Sequence, residues 1–226
     1  MFRVVARHIA DAVLVAVCLF ASAGTLAWRR AWVLLGVMLL VRGVGALAVS
    51  RVNPALLHER AGLPVHDAQP RSDRILLLAV LGTGFLGLPI IAGLDAFHRH
   101  LLPRSAPLLG GIGLVLLAMG WGIKNLALRA NAFATADVRL QRERGHAVAT
   151  SGPYAVVRHP FYAADPLIHV GLGLWLQSYA AVLLAAIPIA LMVIRLRLEE
   201  RLLLRELPGY REYVQRVPHR LLPGVW

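Results

Sequence analysis

The 226-residue chain has one cysteine, Cys18, and one lysine, Lys124, and only 16% of its residues are charged. A single thiol excludes an internal disulfide and any cysteine-based metal site. A phosphate-binding glycine loop is also missing. The one glycine-rich run, Gly110-Gly111-Ile112-Gly113, opens an apolar stretch and follows no strand, so it reads as helix packing. No internal repeat and no second polar domain interrupt the chain, which is read as one domain over residues 1–226.

What the chain has in excess is apolar sequence: 58% of residues are hydrophobic, and mean hydropathy is +0.64. Crossing a bilayer takes about 20 predominantly apolar residues, and residues 9–27, 31–49, 75–94 and 107–128 each supply a run of that kind. Residues 161–194 are apolar too, but broken at Gln177-Ser178 and again at Pro188, as expected of two helices folded back on each other. Helices satisfy their own backbone hydrogen bonds in lipid. The expected fold is therefore all-α: a polytopic membrane helical bundle of five or six membrane segments, with a C-terminal helical hairpin. Arg3, Arg7 and Ala21-Ser22-Ala23 imitate a secretory signal, but the next span follows at once, so a retained first helix is expected.

Net charge is +12, carried by arginine. In a polytopic protein such a balance reflects loops facing anionic lipid rather than nucleic acid. The basic residues gather in 51–74, 129–158 and 195–220, which predicts those loops and both termini on the cytoplasmic side. Arg29-Arg30 counts against that orientation and is outweighed. The 51–74 connection opens with Asn53-Pro54 and turns at Gly62 and Pro64, predicting a short interfacial helix and a loop. Beyond Arg195, leucines interleave with charges, predicting an amphipathic extension of the last helix that Pro208-Gly209 stops.

Polar residues near membrane helices are expensive and so candidates for chemistry. In Arg158-His159-Pro160-Phe161-Tyr162 the proline biases His159 away from helical geometry and places it at a loop–helix junction. The helix N-terminus there favours an anionic group, and Arg158 offers a planar fork to a carboxylate or phosphate. The alternative is an interfacial anchor of arginine and aromatics. Glu199 and Glu200 point about 100° apart on a helix, so one faces inward; pairing with Arg195, Arg197 or Arg201 is the plainer alternative. Asp165 and His169 share a helical face within an apolar segment. They are either a carboxylate–imidazole pair that takes or orients a proton, or a cap for a helix restarted at Pro166 beside a satisfied bundle histidine, the cap being favoured. His98-Arg99-His100 has poor spacing for a metal site. Glycines 82, 84, 87, 110, 111 and 113 allow close helix contacts within or between chains.

Taken together, Gly152-Pro153-Tyr154, Arg158-His159-Pro160-x-Tyr162, Glu199-Glu200, Tyr210-x-x-Tyr213 and Val217-Pro218 resemble the isoprenylcysteine carboxyl methyltransferase and phospholipid methyltransferase family. The likeness extends to Asn131-Ala132-Phe133 and Gly145-His146, and more weakly to Asn53-Pro54, Glu59-Arg60 and the closing 220–226 segment, which look like bacterial members. The resemblance implies methyl transfer from S-adenosyl-L-methionine to a lipophilic substrate, with a carboxylate, amine or thiol as nucleophile. It also implies a division into N-terminal helices (1–104) and a cofactor-binding catalytic half (105–226). Carried over by motif, His146, Gly152, Pro153, Tyr154, His159, Pro160, Tyr162, Glu199 and Glu200 would form the cofactor pocket. Arg129 and Asn131 would meet substrate; Arg158 and Glu200, with Asp165 and His169, would serve the reaction. Asp165-Pro166 and His169 depart from the small or apolar residues expected there. A lipid double-bond reductase using NADPH, and a non-enzymatic scaffold or transporter, are the rival readings.

Overall fold

Glycines bring the centre of the molecule together. In the computed structural model, helices α6 (Pro107–Ala130) and α7 (Pro160–Trp175) share the most extensive helix–helix interface. A β-carbon at Gly113 would stand 2.7 Å from the Gly171 carbonyl oxygen, and one at Gly171 would stand 2.6 Å from that of Gly113. One turn-pair along, a β-carbon at Gly120 would lie 2.9 Å from the Ala164 carbonyl oxygen. The two backbones touch because there is no side chain between them, the usual way membrane helices gain packing without a hydrophobic drive. Gly82 and Gly111 face open space.

The structure describes residues 1–62, 69–103 and 106–226; Pro64 and Arg104 lie outside the described residues. The remaining helices are α1 (Phe2–Ala23), α2 (Arg29–Ser50), α3 (Pro54–Arg60), α4 (Arg71–Val80), α5 (Leu88–Leu94), α8 (Tyr179–Leu184), α9 (Ala186–Glu206) and α10 (Tyr210–Arg216). No strand occurs among the described residues. Among the described residues five helices are long and apolar enough to cross a membrane: α1, α2, the continuous Arg71–Arg99 helix holding α4 and α5, α6, and Tyr179–Glu206, which joins α8 to α9. This is an integral membrane helical bundle. The expected C-terminal hairpin is present, its first arm being α7 with 16 residues. It turns at Gln177-Ser178, where Ser178 Oγ caps α8 by accepting from the Ala181 amide at 3.0 Å. Pro188 does not break the second arm but sits near the start of α9.

Around the α6–α7 centre, α2 packs on α6, α1 on α2 and α5, and α4 on α9. At the hairpin end, Arg30 donates to the Trp175 carbonyl while the Trp175 indole donates to the Arg30 carbonyl, both at 2.7 Å. Buried Asp95 accepts from Ser178 Oγ at 2.6 Å and from the Leu101 amide at 2.7 Å. Arg30, half of the pair that argued against the expected orientation, is thus engaged in packing. The Arg71–Arg99 helix widens into π geometry over Leu81–Gly87, just ahead of Pro89. Proline lacks an N–H and clashes with the carbonyl four residues back, and local widening relieves both problems.

Gly113→Val would push the two helix backbones apart. A loss of about 1–3 kcal/mol is expected by thermal unfolding in detergent, whereas Gly111→Val, with open space around it, should change little.

Candidate active site

The loop between α6 and α7, the start of α7, the end of α9 and the tail converge on one end of the bundle. Gly152 has φ 58°, a left-handed value that suits glycine, and it opens the short 3-10 turn Gly152–Ala155 that buries Tyr154. Gly152 and Pro153 therefore shape the turn, while Tyr154 is the residue that reaches the cavity. His159 is the N-cap residue of α7 and Pro160 its first-turn proline, as the motif predicts. The tail then runs back across this junction: the amides of Arg158 and His159 donate to the carbonyls of His219 and Arg220 at 2.9 and 3.0 Å.

Arg158 and Glu200 hold this corner. Arg158 Nε donates to Glu200 Oε1 at 2.7 Å, and its Nη1 to the carbonyls of Val217 and Pro218 at 2.9 and 2.6 Å. Arg220 Nε reaches Glu200 Oε2 at 2.5 Å, and His159 Nε2 lies 3.6 Å from Oε1. The Arg158 and Glu200 side chains are only 3% and 5% exposed. Arg158 lines the cavity while its Nε and Nη1 are engaged in this knot, and Glu200, expected in the pocket, lies behind it and does not line the cavity. Of the glutamate pair, Glu199 is the one that faces the cavity, where its carboxylate accepts from the Tyr162 hydroxyl.

The loop itself is latched from below. Arg195 Nε donates to Asp73 Oδ1 at 2.7 Å, its Nη2 to the Ala136 carbonyl at 2.5 Å, and the Val138 amide donates to Asp73 Oδ2 at 3.1 Å. Fully buried Gln141 donates to the Phe133 carbonyl at 2.8 Å. These ties stack Phe133 on His146, ring centres 4.5 Å apart and 21° from parallel. His146 Nδ1 accepts from the Gln141 amide at 3.3 Å, so its proton sits on Nε2, and burial holds its pKa below the usual imidazole value. Tyr213 donates to the Tyr154 carbonyl at 2.7 Å; burial raises the Tyr154 phenol and pushes that of Tyr213 to about 12, so both stay protonated at neutral pH.

These groups open onto a cavity of about 630 Å³ that continues deep between the helices. Phe133, His146, Tyr154, His159, Tyr162 and Glu199 surround its loop end; Val15, Leu34, Met38, Phe85, Trp121 and Leu172 line its deep arm. Asn131 lines it as expected. Arg129 does not: it is exposed at the end of α6, where Asn53 caps its carbonyl at 2.9 Å. Asp165 and His169 also line the deep arm. α7 runs unbroken through Pro166, so Asp165 caps no helix; its carboxylate pairs instead with Lys124 Nζ at 2.5 Å. Sequence reasoning missed Lys124, Arg42 and Asp11, which meet the same cavity, with Asp11 bridging Arg7 and Arg42 at 2.9 and 2.6 Å. Each is a lone charge in an apolar run, which is the signal that could have found it. Among the described residues no group of three or more histidines, cysteines or acidic residues could hold a metal ion, His98 and His100 included.

Over 94% of this chain and 73% of the other, the fold matches the solved structure of the eukaryotic intramembrane Ras methyltransferase ICMT (isoprenylcysteine carboxyl methyltransferase), with a TM-score of 0.54. At 19% identity this is a likeness of fold. The phospholipid methyltransferase family model matches residues 109–209, the part of the chain that holds Gly152-Pro153-Tyr154, Arg158-His159-Pro160 and Glu199-Glu200. Curated relatives include the cobalt-zinc-cadmium resistance protein CzcN of Cupriavidus metallidurans, 37% identical over 76 residues, covering 33% of this chain and 35% of that protein. The nickel-cobalt-cadmium resistance protein NccN of Alcaligenes xylosoxydans xylosoxydans is 37% identical over 70 residues, covering 30% and 33%. The chain thus spans about a third of the length of these relatives.

Removing the Glu200 carboxylate leaves the buried Arg158 cation with carbonyl partners only. Glu200→Ala should destabilise the protein by about 3 kcal/mol or more in a denaturation titration. Glu199→Ala, which removes one hydrogen bond, should cost about 1 kcal/mol.

Proposed function

We propose that this protein is an S-adenosylmethionine-dependent methyltransferase of the membrane acting on a lipophilic substrate. The observation that carries this reading is a cavity whose loop end is aromatic and polar while its deep arm is largely apolar and runs between membrane helices. Its volume of about 630 Å³ falls within the range that suits a nucleoside-sized cofactor and a small substrate together. The cofactor supplies a methyl group on a positively charged sulfur, ready for in-line displacement.

The residues present fit such a ligand. The Phe133–His146 stack offers a flat face to an adenine. Glu199, aimed by the Tyr162 hydroxyl, is an acceptor for ribose hydroxyls. Tyr154 and His159, with Pro160 and the Gly152-Pro153 turn behind them, build the wall on which the ligand rests. Arg158 and Glu200 fix the tail to the start of α7 beside it. Methyl displacement needs alignment and exclusion of water more than strong acid or base groups, and a cavity set between membrane helices suits both. The basic loops support termini on the cytoplasmic side of a bacterial inner membrane, so cofactor would enter from the cytoplasm and substrate from the lipid.

Calorimetric titration of the detergent-purified protein should show saturable binding of S-adenosylhomocysteine and none of NADP⁺. Glu199→Ala should weaken that binding about tenfold, the worth of one good charged hydrogen bond. Binding of NADP⁺ in its place would turn the reading to a reductase, and binding of neither would favour a scaffold or transporter.

A further inference from the structure

Two buried polar atoms in the deep arm have no hydrogen-bond partner among the described residues: Asp165 Oδ2 and His169 Nδ1. The two side chains stand one turn apart on α7 and both line the cavity. The far oxygen of Asp165 is held by Lys124, and a β-carbon at Gly84, in the π segment, would stand 2.8 Å from His169 Nε2. Gly84 thus lets its helix pack against one edge of the imidazole. Buried groups left unpaired are costly, and both belong to side chains of the cavity wall, where a ligand entering the arm can supply the missing hydrogen bond.

The charges around them limit what that donor can be. Lys124 and Arg42 line the arm together with Arg60, which makes no ion pair among the described residues; Arg42 shares Asp11 with Arg7. Burial and then the neighbouring Arg42 charge pull Arg60 down to about 10. A neutral amine would become a cation among these cations once methylated. A carboxylate brings no proton and arrives already charged beside Asp165. A hydroxyl can donate, but its proton lies far beyond the reach of imidazole. A thiol has a free pKa of about 8.5 against about 6.5 for imidazole, a gap that nearby cations narrow.

Resting on the methyltransferase reading above, we propose that Asp165 and His169 form the nucleophile's end of the cavity, and that the group methylated there is the thiol of a lipophilic molecule. The imidazole of His169 accepts from the S–H group, and Asp165 lies beside it one turn away. The thiol's proton passes to the imidazole on binding, and a lone pair of the resulting thiolate forms the new S–CH₃ bond. The bond from that methyl to the donor sulfonium breaks with its electron pair returning to the donor sulfur. The proton then leaves His169 to water when the product departs. Lys124 is a positioning residue, fixing Asp165 and favouring the thiolate.

The test uses decanethiol as probe and the His169→Gln protein, which loses no hydrogen bond the structure shows. Without cofactor, wild-type protein should develop thiolate ultraviolet absorbance on adding decanethiol, and His169→Gln should not. With radiolabelled S-adenosylmethionine, decanethiol should be methylated and decanoate and decylamine should not. His169→Gln should lower turnover about 10²–10⁴-fold at unchanged affinity for S-adenosylhomocysteine. Equal turnover in His169→Gln, or decanoate or decylamine methylated as fast as the thiol, would overturn the proposal. Binding of S-adenosylhomocysteine without a thiolate signal would overturn this inference alone. Failure to bind S-adenosylhomocysteine would instead overturn the methyltransferase reading beneath it.

Discussion

The ion-pair knot of Arg158, Glu200 and Arg220 is the interaction on which the rest of the site depends. It joins three parts of the chain that are far apart in sequence: the loop before α7, the end of α9 and the tail. A buried pair of this kind contributes little net stability when compared with apolar packing, but it punishes any arrangement that separates its members. Its effect is therefore one of geometry. With Glu200 turned into the knot, its neighbour Glu199 must face the cavity, where Tyr162 meets it. With Arg158 bonded to Val217 and Pro218, the tail is pinned beside the start of α7.

A second constraint acts at the centre of the bundle. The contact of Gly113, Gly120 and Gly171 draws α6 and α7 together and so brings Lys124 to Asp165. Had these glycines carried side chains, the two charges could not meet so closely, and each would stand alone in an apolar arm. The π segment of the Arg71–Arg99 helix completes this region by setting Gly84 against His169. Such widened turns recur at functional sites, and here the widened turn packs against a residue of the cavity wall.

Much of this was legible in the sequence because lipid leaves few choices. Long apolar runs must be helices, and the break at Gln177-Ser178 marked the hairpin turn. The motif residues Tyr154, His159 and Tyr162 were found as a set, and the structure gathers them at one end of one cavity. What the sequence could not show was which way polar side chains turn. Arg158 reads as a free anion fork because its partners lie 42 residues away, on Glu200, and beyond, on the tail. Asp165 before Pro166 has the local pattern of a cap, and only the approach of Lys124 from another helix explains a continuous α7. Arg129 looks like a pocket residue beside Asn131, but Asn131 faces inward while Arg129 is exposed where α6 ends.

The most direct test of the central claim is photolabelling with an azido-adenosyl analogue of S-adenosylmethionine, followed by peptide mapping. The aromatic loop end of the cavity predicts covalent label in the segment from Phe133 to Tyr154, suppressed by excess S-adenosylhomocysteine. Label confined to other segments, or label that S-adenosylhomocysteine does not displace, would contradict the assignment of this end of the cavity to the cofactor.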